Sequence, residues 1–285
     1  MDLKQDLLEF YREGIKSTIS SALKLKKVQD RSKLINSKMK SLLLEKLEVI
    51  DDKNLDEILM SHYTNYIVML ESRNIVWPYE FMSFSRRIGE LWEPFCKLPF
   101  EYSLNHVKFY TPPTYDGFRN DLNNDLKQFI SSLGLKDEQI IKLYQKIDRL
   151  FELSESGAIN LKEDLHFEYE KIKYVVDYKS GFSSNEKGNT NRLLHVAKIY
   201  SMIGGHECLV FVRQREEENN HYLQTLKNSG LWKVYCSTDA YNKIFEVTGV
   251  NLREWMDSNM DWKSDISSEF REYLEQQELI QYLTW

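Results

Sequence analysis

Cysteine is scarce in this sequence: Cys96, Cys208 and Cys236 are odd in number, far apart and without a CxxC pair. A disulfide framework and a thiolate zinc ribbon are thereby excluded, and buried free thiols in a reducing compartment are expected. Glycine and proline are few as well, 11 and 5 among 285 residues, too thinly spread for a flexible or proline-rich linker. Repeats and low-complexity runs are missing, which argues against a solenoid. No apolar run approaches the length of a membrane span. The opening MDLKQDLLEFYREGIK reads as an amphipathic helix and lacks the basic start, apolar block and small-residue cleavage site of a secretory leader. The expected location is cytoplasmic. GxSxG, Walker and GxGxxG motifs are absent, against serine hydrolases, P-loop enzymes and dinucleotide enzymes. The six histidines (His62, His106, His166, His195, His206, His221) show no metal-ligand spacing.

What remains is a chain with 42% hydrophobic and 29% charged residues, enough apolar material for one large domain or two modest ones. Its net charge of −6 is unevenly placed. Residues 12–46 hold ten bases against three acids, a local +7, whereas Thr248–Trp285 holds eight acids against three bases, a local −5. The basic stretch suits either a solvated helix face or contact with phosphates. The acidic tail would repel phosphate. Its apolar stripe (Leu252, Trp255, Met256, Phe270, Leu274, Leu279) points instead to docking on the core or to dimerisation.

Helical periodicity governs the first half, with helices expected at 2–27, 38–48, 54–73, 79–97, 114–133 and 137–154. From Ala158 to Lys179 the residues turn β-branched and aromatic with partial alternation, as in strands. A helix over 190–203 follows, capped by Asn189 or Thr190, and then a buried strand, ECLVFVRQ (207–214). WKVYC (232–236) is one more strand. A helical region over 1–135 and an α/β core with an acidic helical tail over 136–285 fit this pattern. One compact domain with a helical extension fits it equally.

The chemistry concentrates at the end of one strand. In KYVVDYKSG, Val175, Asp177 and Lys179 share a face, so a carboxylate and an ammonium lie side by side. A turn near Glu170-Lys171 would fold DLHFEYEK back on this strand and bring Asp164 close to Asp177. Two neighbouring carboxylates repel unless a divalent cation sits between them, and oxygen ligands without His or Cys favour Mg²⁺, with Mn²⁺ able to substitute. A metal, two acids and a lysine suit phosphodiester hydrolysis. The loop SGFSSNEKGNTNR is too polar to pack. Its Ser183, Ser184, Asn185, Lys187, Asn189, Asn191 and Arg192 suit either a solvated loop or contact with phosphates and base edges, where Asn favours adenine and Arg guanine.

EDLHFEYEKIKYVVDYKSG resembles the core of the PD-(D/E)XK nuclease superfamily, most closely its type II restriction endonucleases. Asp164 matches the first acid of that motif, Asp177 the second and Lys179 the lysine, while Glu163 stands where the family often has proline. Some members add a glutamate from the preceding helix, a part that Glu152 or Glu155 would play. The resemblance covers about residues 137–214. It implies an α/β fold with a restriction-endonuclease-like mixed sheet flanked by helices, behind a helix-rich N-terminal half. It implies a Mg²⁺-dependent, site-specific endonuclease of double-stranded DNA, with Asp164, Asp177 and Lys179 catalytic and both acids on the metal. A homodimer follows by analogy. Two alternatives stay open: a nuclease of the same fold acting in repair, in phage replication or on RNA, and a non-enzymatic helical interaction protein whose Asp177–Lys179 pair is structural.

Overall fold

The computed structural model describes residues 3–51, 53–154, 159–183 and 186–285. Four helices open the chain: α1 (Leu3–Leu23), α2 (Val28–Leu47), α3 (Leu55–Val76) and α4 (Phe81–Glu101). The strand β1 (Lys108–Phe109), helices α5 (Tyr115–Ser132) and α6 (Asp137–Ser154), and the hairpin β2 (Leu165–Tyr169) and β3 (Ile172–Lys179) follow. Next come α7 (Lys187–Ile203), β4 (His206–Val212), α8 (His221–Asn228), β5 (Trp232–Cys236), α9 (Thr238–Thr248), α10 (Leu252–Asn259), α11 (Trp262–Asp265) and α12 (Ser268–Gln276). None of the described helices is long and apolar enough to cross a membrane.

Two compact units share these elements. One comprises Met1–His106, Val212–Gln214 and Cys236–Trp285; the other comprises Val107–Phe211 and Arg215–Tyr235. The acidic tail therefore groups with the N-terminal helices, unlike the division expected between residues 135 and 136. The reason is physical. In the first unit α3 is buried almost all round from Ile58 to Ser72, and such a helix needs cover on every side. α1 and α2 cover part of it. The tail adds Trp262, which meets Tyr63 edge to face, and Asp265, which accepts from the Tyr63 hydroxyl at 2.8 Å and from Lys4 at 3.0 Å. Glu71 of α3 takes both Arg12 Nε and Nη2, at 3.1 and 2.8 Å, and the Ser267 N–H at 2.6 Å. Of the predicted stripe, Leu252, Met256, Phe270, Leu274 and Leu279 are buried in this unit.

α2 begins ten residues ahead of its expected start at 38. Its core face is only the narrow stripe Ile35, Met39 and Leu42, and the basic residues between them mask that spacing.

The second unit holds a five-stranded sheet in the order β1-β2-β3-β4-β5. β1 pairs antiparallel with β2, and β2 with β3 in the register Leu165↔Val176 to Tyr169↔Ile172. β3 and β4 start and end together: the Lys173 N–H donates to the Gly205 carbonyl, and the Tyr178 and Phe211 rings meet at 5.4 Å. Glu207 likewise faces Lys233, and Phe211 faces Tyr235. β3, β4 and β5 thus run parallel, with α7 and α8 as crossovers, and the sheet is mixed. Strand β3 is buried on both faces from Tyr174 to Tyr178, as a central strand should be.

The hairpin turn falls at Glu170 and Lys171, both left-handed with φ of 50° and 66°. Two successive positive φ angles favour Asn-Gly, and a side chain held there is strained by about 1 kcal/mol or more. The double substitution Glu170→Asn/Lys171→Gly is expected to stabilise the protein by about 1 kcal/mol, net of the extra freedom glycine gains when unfolded. A urea midpoint that stays put or falls would show that this turn stores no strain.

Candidate active site

The candidate site lies within the second unit and is built by the β2–β3 hairpin and the first turns of α7. One step beyond the pair Leu165↔Val176, the register sets Asp164 opposite Asp177. Asp164 Oδ2 accepts the Tyr178 N–H at 2.8 Å, closing the hairpin's open end, and the residue itself is exposed. Asp177 is 1% exposed and Glu163 6%. Glu163 and Asp164 thus both act on the charge of Asp177, and because two of the three acids are shielded from water the arrangement needs cations nearby.

Two side chains provide them. Lys179 Nζ lies 2.5 Å from Asp177 Oδ2 and donates to its neighbour's carbonyl, Tyr178 O, at 3.3 Å. Arg192 spans both buried acids: Nη1 donates to Glu163 Oε1 at 2.5 Å and Nη2 to Asp177 Oδ1 at 3.2 Å. The arginine is held in turn by Asn189, whose Oδ1 accepts from Nε at 3.2 Å while its Nδ2 donates to Glu186 at 2.9 Å. Despite its ion contact, Asp177 Oδ2 makes no hydrogen bond of ordinary geometry. Burial pushes the Asp177 carboxyl up to about 7; Lys179 opposes the rise, and the negative charges of Asp164 and Glu163 add to it.

These donors fit a hard divalent cation. Asp164 keeps one oxygen beyond its bond to Tyr178, Asp177 Oδ2 is held by the Lys179 ammonium alone, and every candidate ligand is oxygen. Among the described residues no group of three or more His, Cys, Asp or Glu side chains is disposed around one point. A two-carboxylate set leaves the remaining positions to water and substrate, which is the usual pattern for Mg²⁺. Glu155 lies outside the described residues, as does the side chain of Glu152, so the additional acid from the preceding helix is not among the groups placed here.

His166 belongs to the scaffold, as expected of a histidine on a strand face. Its Nε2 accepts the Glu163 N–H at 2.9 Å, and burial foremost pushes it down to about 4, so it is neutral. Tyr200 of α7 donates to the Leu161 carbonyl at 2.8 Å, tying the approach to β2 onto the crossover helix. An open cleft of about 630 Å³ runs past Glu163, Asp164 and His166, walled by Phe109, Tyr110 and Tyr115. Cys96 and Cys208 are buried free thiols, and Cys236 is free and half-buried.

The polar loop divides into two groups. Ser183, Lys187 and Asn191 are exposed, at or near the start of α7. Asn189 and Arg192 are turned inward on the acids, and Ser184 and Asn185 lie outside the described residues. α7 begins at Lys187 and not at 190; Asn189 does not cap it, because its amide is committed to Glu186 and Arg192, and Thr190 is buried within the first turn. Sequence reasoning missed Glu163 as a buried acid and Arg192 as its partner. Only their residue types hint at this, since the pair is 29 positions apart and no local period links them. The chain matches no protein-family model, no curated protein and no solved structure.

Proposed function

We propose that this chain is a Mg²⁺-dependent endonuclease that hydrolyses phosphodiester bonds in double-stranded DNA at specific sites, acting as a homodimer. The observation that carries the reading is the buried Asp177 carboxylate, set opposite Asp164 across the hairpin and flanked by Lys179. Asp164 and Asp177 are the metal ligands, and Mn²⁺ replaces Mg²⁺ in the same oxygen set. When bound, the cation supplies Lewis acidity toward the phosphate and a lowered pKa for water.

The protein's own groups do the rest. Lys179, freed from Asp177 once that carboxylate is otherwise neutralised, hydrogen-bonds the attacking water and offsets the charge that builds on the phosphate. Arg192 holds Glu163 and Asp177 in place before the substrate arrives. Ser183, Lys187 and Asn191, exposed where α7 starts, face the DNA backbone and base edges. Asp177 has to be ionised to hold a cation, and with its carboxyl near 7 cleavage rises as pH increases from 6 to 8.

The test is incubation with plasmid and phage DNA, with Mg²⁺ or EDTA, beside Lys179→Ala. Discrete fragments that need Mg²⁺, fall by about 10²–10³ in rate in the variant and form faster at pH 8 than at pH 6 are expected. Intact DNA from folded protein, or fragments that persist in EDTA, would refute the reading.

One observation favours a second reading. Lys179 and Arg192 between them contact both buried acids, which also suits a structural ion cluster in a non-enzymatic helical interaction protein. The two readings differ sharply in what Asp177→Asn does to stability.

A further inference from the structure

The turn from α3 into α4, in the first unit, encloses a cleft of about 320 Å³ lined by Arg73, Trp77, Tyr79, Arg86, Arg87 and Glu90. Two hydrogen-bond donors here have no partner: Arg73 Nε and the Tyr79 hydroxyl. Tyr79 is 4% exposed, and leaving such a group unpaired is costly.

Three arginines (Arg73, Arg86, Arg87) face two glutamates (Glu80, Glu90) in the same place, an excess of one positive charge. Glu90 is shared between Arg86 at 2.6 Å and Arg87 at 2.9 Å. The Arg73 guanidinium sits over the Tyr79 ring, 6.0 Å from its centre, and its Nη1 makes a long 3.4 Å contact with Asn36 Oδ1. Burial foremost, with the like charge of Arg87 acting in the same sense, lowers Arg73 from its ordinary value. Unpaired donors beside crowded arginines call for an acceptor that is also an anion, and planar guanidinium groups match phosphate oxygens best. Trp77, 43% exposed, adds a flat ring at the same cleft.

We infer that this cleft binds a nucleoside phosphate, its phosphate between Arg73, Arg87 and the Tyr79 hydroxyl and its base stacked on Trp77. The volume is at the lower end of small-ligand sites, on the scale of one mononucleotide. The ligand relieves the repulsion between Arg73 and Arg87 and pairs the two orphaned donors. This site does not depend on the nuclease reading, because none of its residues belongs to the β2–β3 hairpin.

Calorimetric titration of the full chain with AMP, adenosine and inorganic phosphate tests the assignment. AMP should bind one to one, and more tightly than either fragment alone. Arg87→Gln removes one charged donor and a surface ion pair of little worth, so it should weaken AMP by about 10–100-fold without unfolding the protein. Trp77→Ala should weaken it by about tenfold. Lys33→Gln, the same charge change on the exposed face of α2, should leave binding intact. The inference is overturned if AMP does not bind at millimolar concentration, if both cleft variants bind as wild type does, or if phosphate alone binds as tightly as AMP. It is equally overturned if only oligonucleotides bind through Arg87.

Discussion

Asp177→Asn is expected to lower Mg²⁺-dependent cleavage by about 10³-fold or more while leaving the protein at pH 8 as stable as wild type, or more so. The two effects have one origin. Asparagine keeps the shape of the side chain but cannot ionise, and a neutral amide is a poor ligand for a hard cation. Asp177 is 1% exposed, and burial raises its carboxyl from 3.8 to about 7, with Asp164 and Glu163 reinforcing the rise against Lys179. The native pKa thus lies above the unfolded one. The native state holds its proton over a window where the unfolded chain has lost it, so wild-type stability falls as pH climbs from about 4 to 7 and stays lowered above. Asparagine has no such window. The melting temperature of the variant relative to wild type should therefore increase between pH 5 and pH 8. A structural ion cluster predicts the opposite: losing one partner of a buried pair costs about 3–5 kcal/mol at neutral pH. Melting curves at the two pH values, beside a cleavage assay, separate these outcomes. A variant that melts early at pH 8 would place Asp177 in the scaffold.

How much of this was legible in the sequence depends on the distance over which each feature is encoded. The hairpin, its turn at Glu170-Lys171, the helix after it and the buried β4 strand are local patterns of alternation, apolar runs and polar breaks, and the structure places them close to where these patterns predict. β1 is two residues long, too short for any period, and exists because the outer edge of β2 needs a partner. The grouping of the tail with the N-terminal helices rests on contacts such as Tyr63 with Asp265, 202 positions apart, about which spacing says nothing. The same limit acts at the site. Asp164, Asp177 and Lys179 belong to one hairpin and could be read together. Glu163 looked like a substitute for proline, and Arg192 like a DNA contact, because their pairing arises only when α7 folds over the sheet.

That pairing makes Arg192→Gln the most destabilising single change expected in the second unit. Removing the guanidinium leaves Glu163 and Asp177, each with a side chain only 2% exposed, with Lys179 as the remaining cation of the cluster. An uncompensated buried charge costs about 3–5 kcal/mol. The guanidinium is itself 39% exposed and partly screened by solvent, which argues for the lower end, about 3 kcal/mol. The sign of the pH dependence follows. With Arg192 gone, Asp177, whose carboxyl burial already raises, holds its proton more strongly still in the native state than when unfolded, so the loss is small near pH 5 and largest at pH 8. Glu163→Gln in the same chain removes one of the stranded charges and should restore a good part of the stability, a coupling that a double-mutant cycle in urea would measure directly. An arginine serving only to grip DNA behaves differently. Its loss would leave the melting temperature untouched at both pH values, weaken binding to all sequences alike and reduce the salt dependence of that binding by about one ion. If that second pattern is found, the carboxylates are balanced by some other means and the role of Arg192 lies with the nucleic acid. If the first is found, the arginine is the counter-charge that keeps Glu163 and Asp177 out of water.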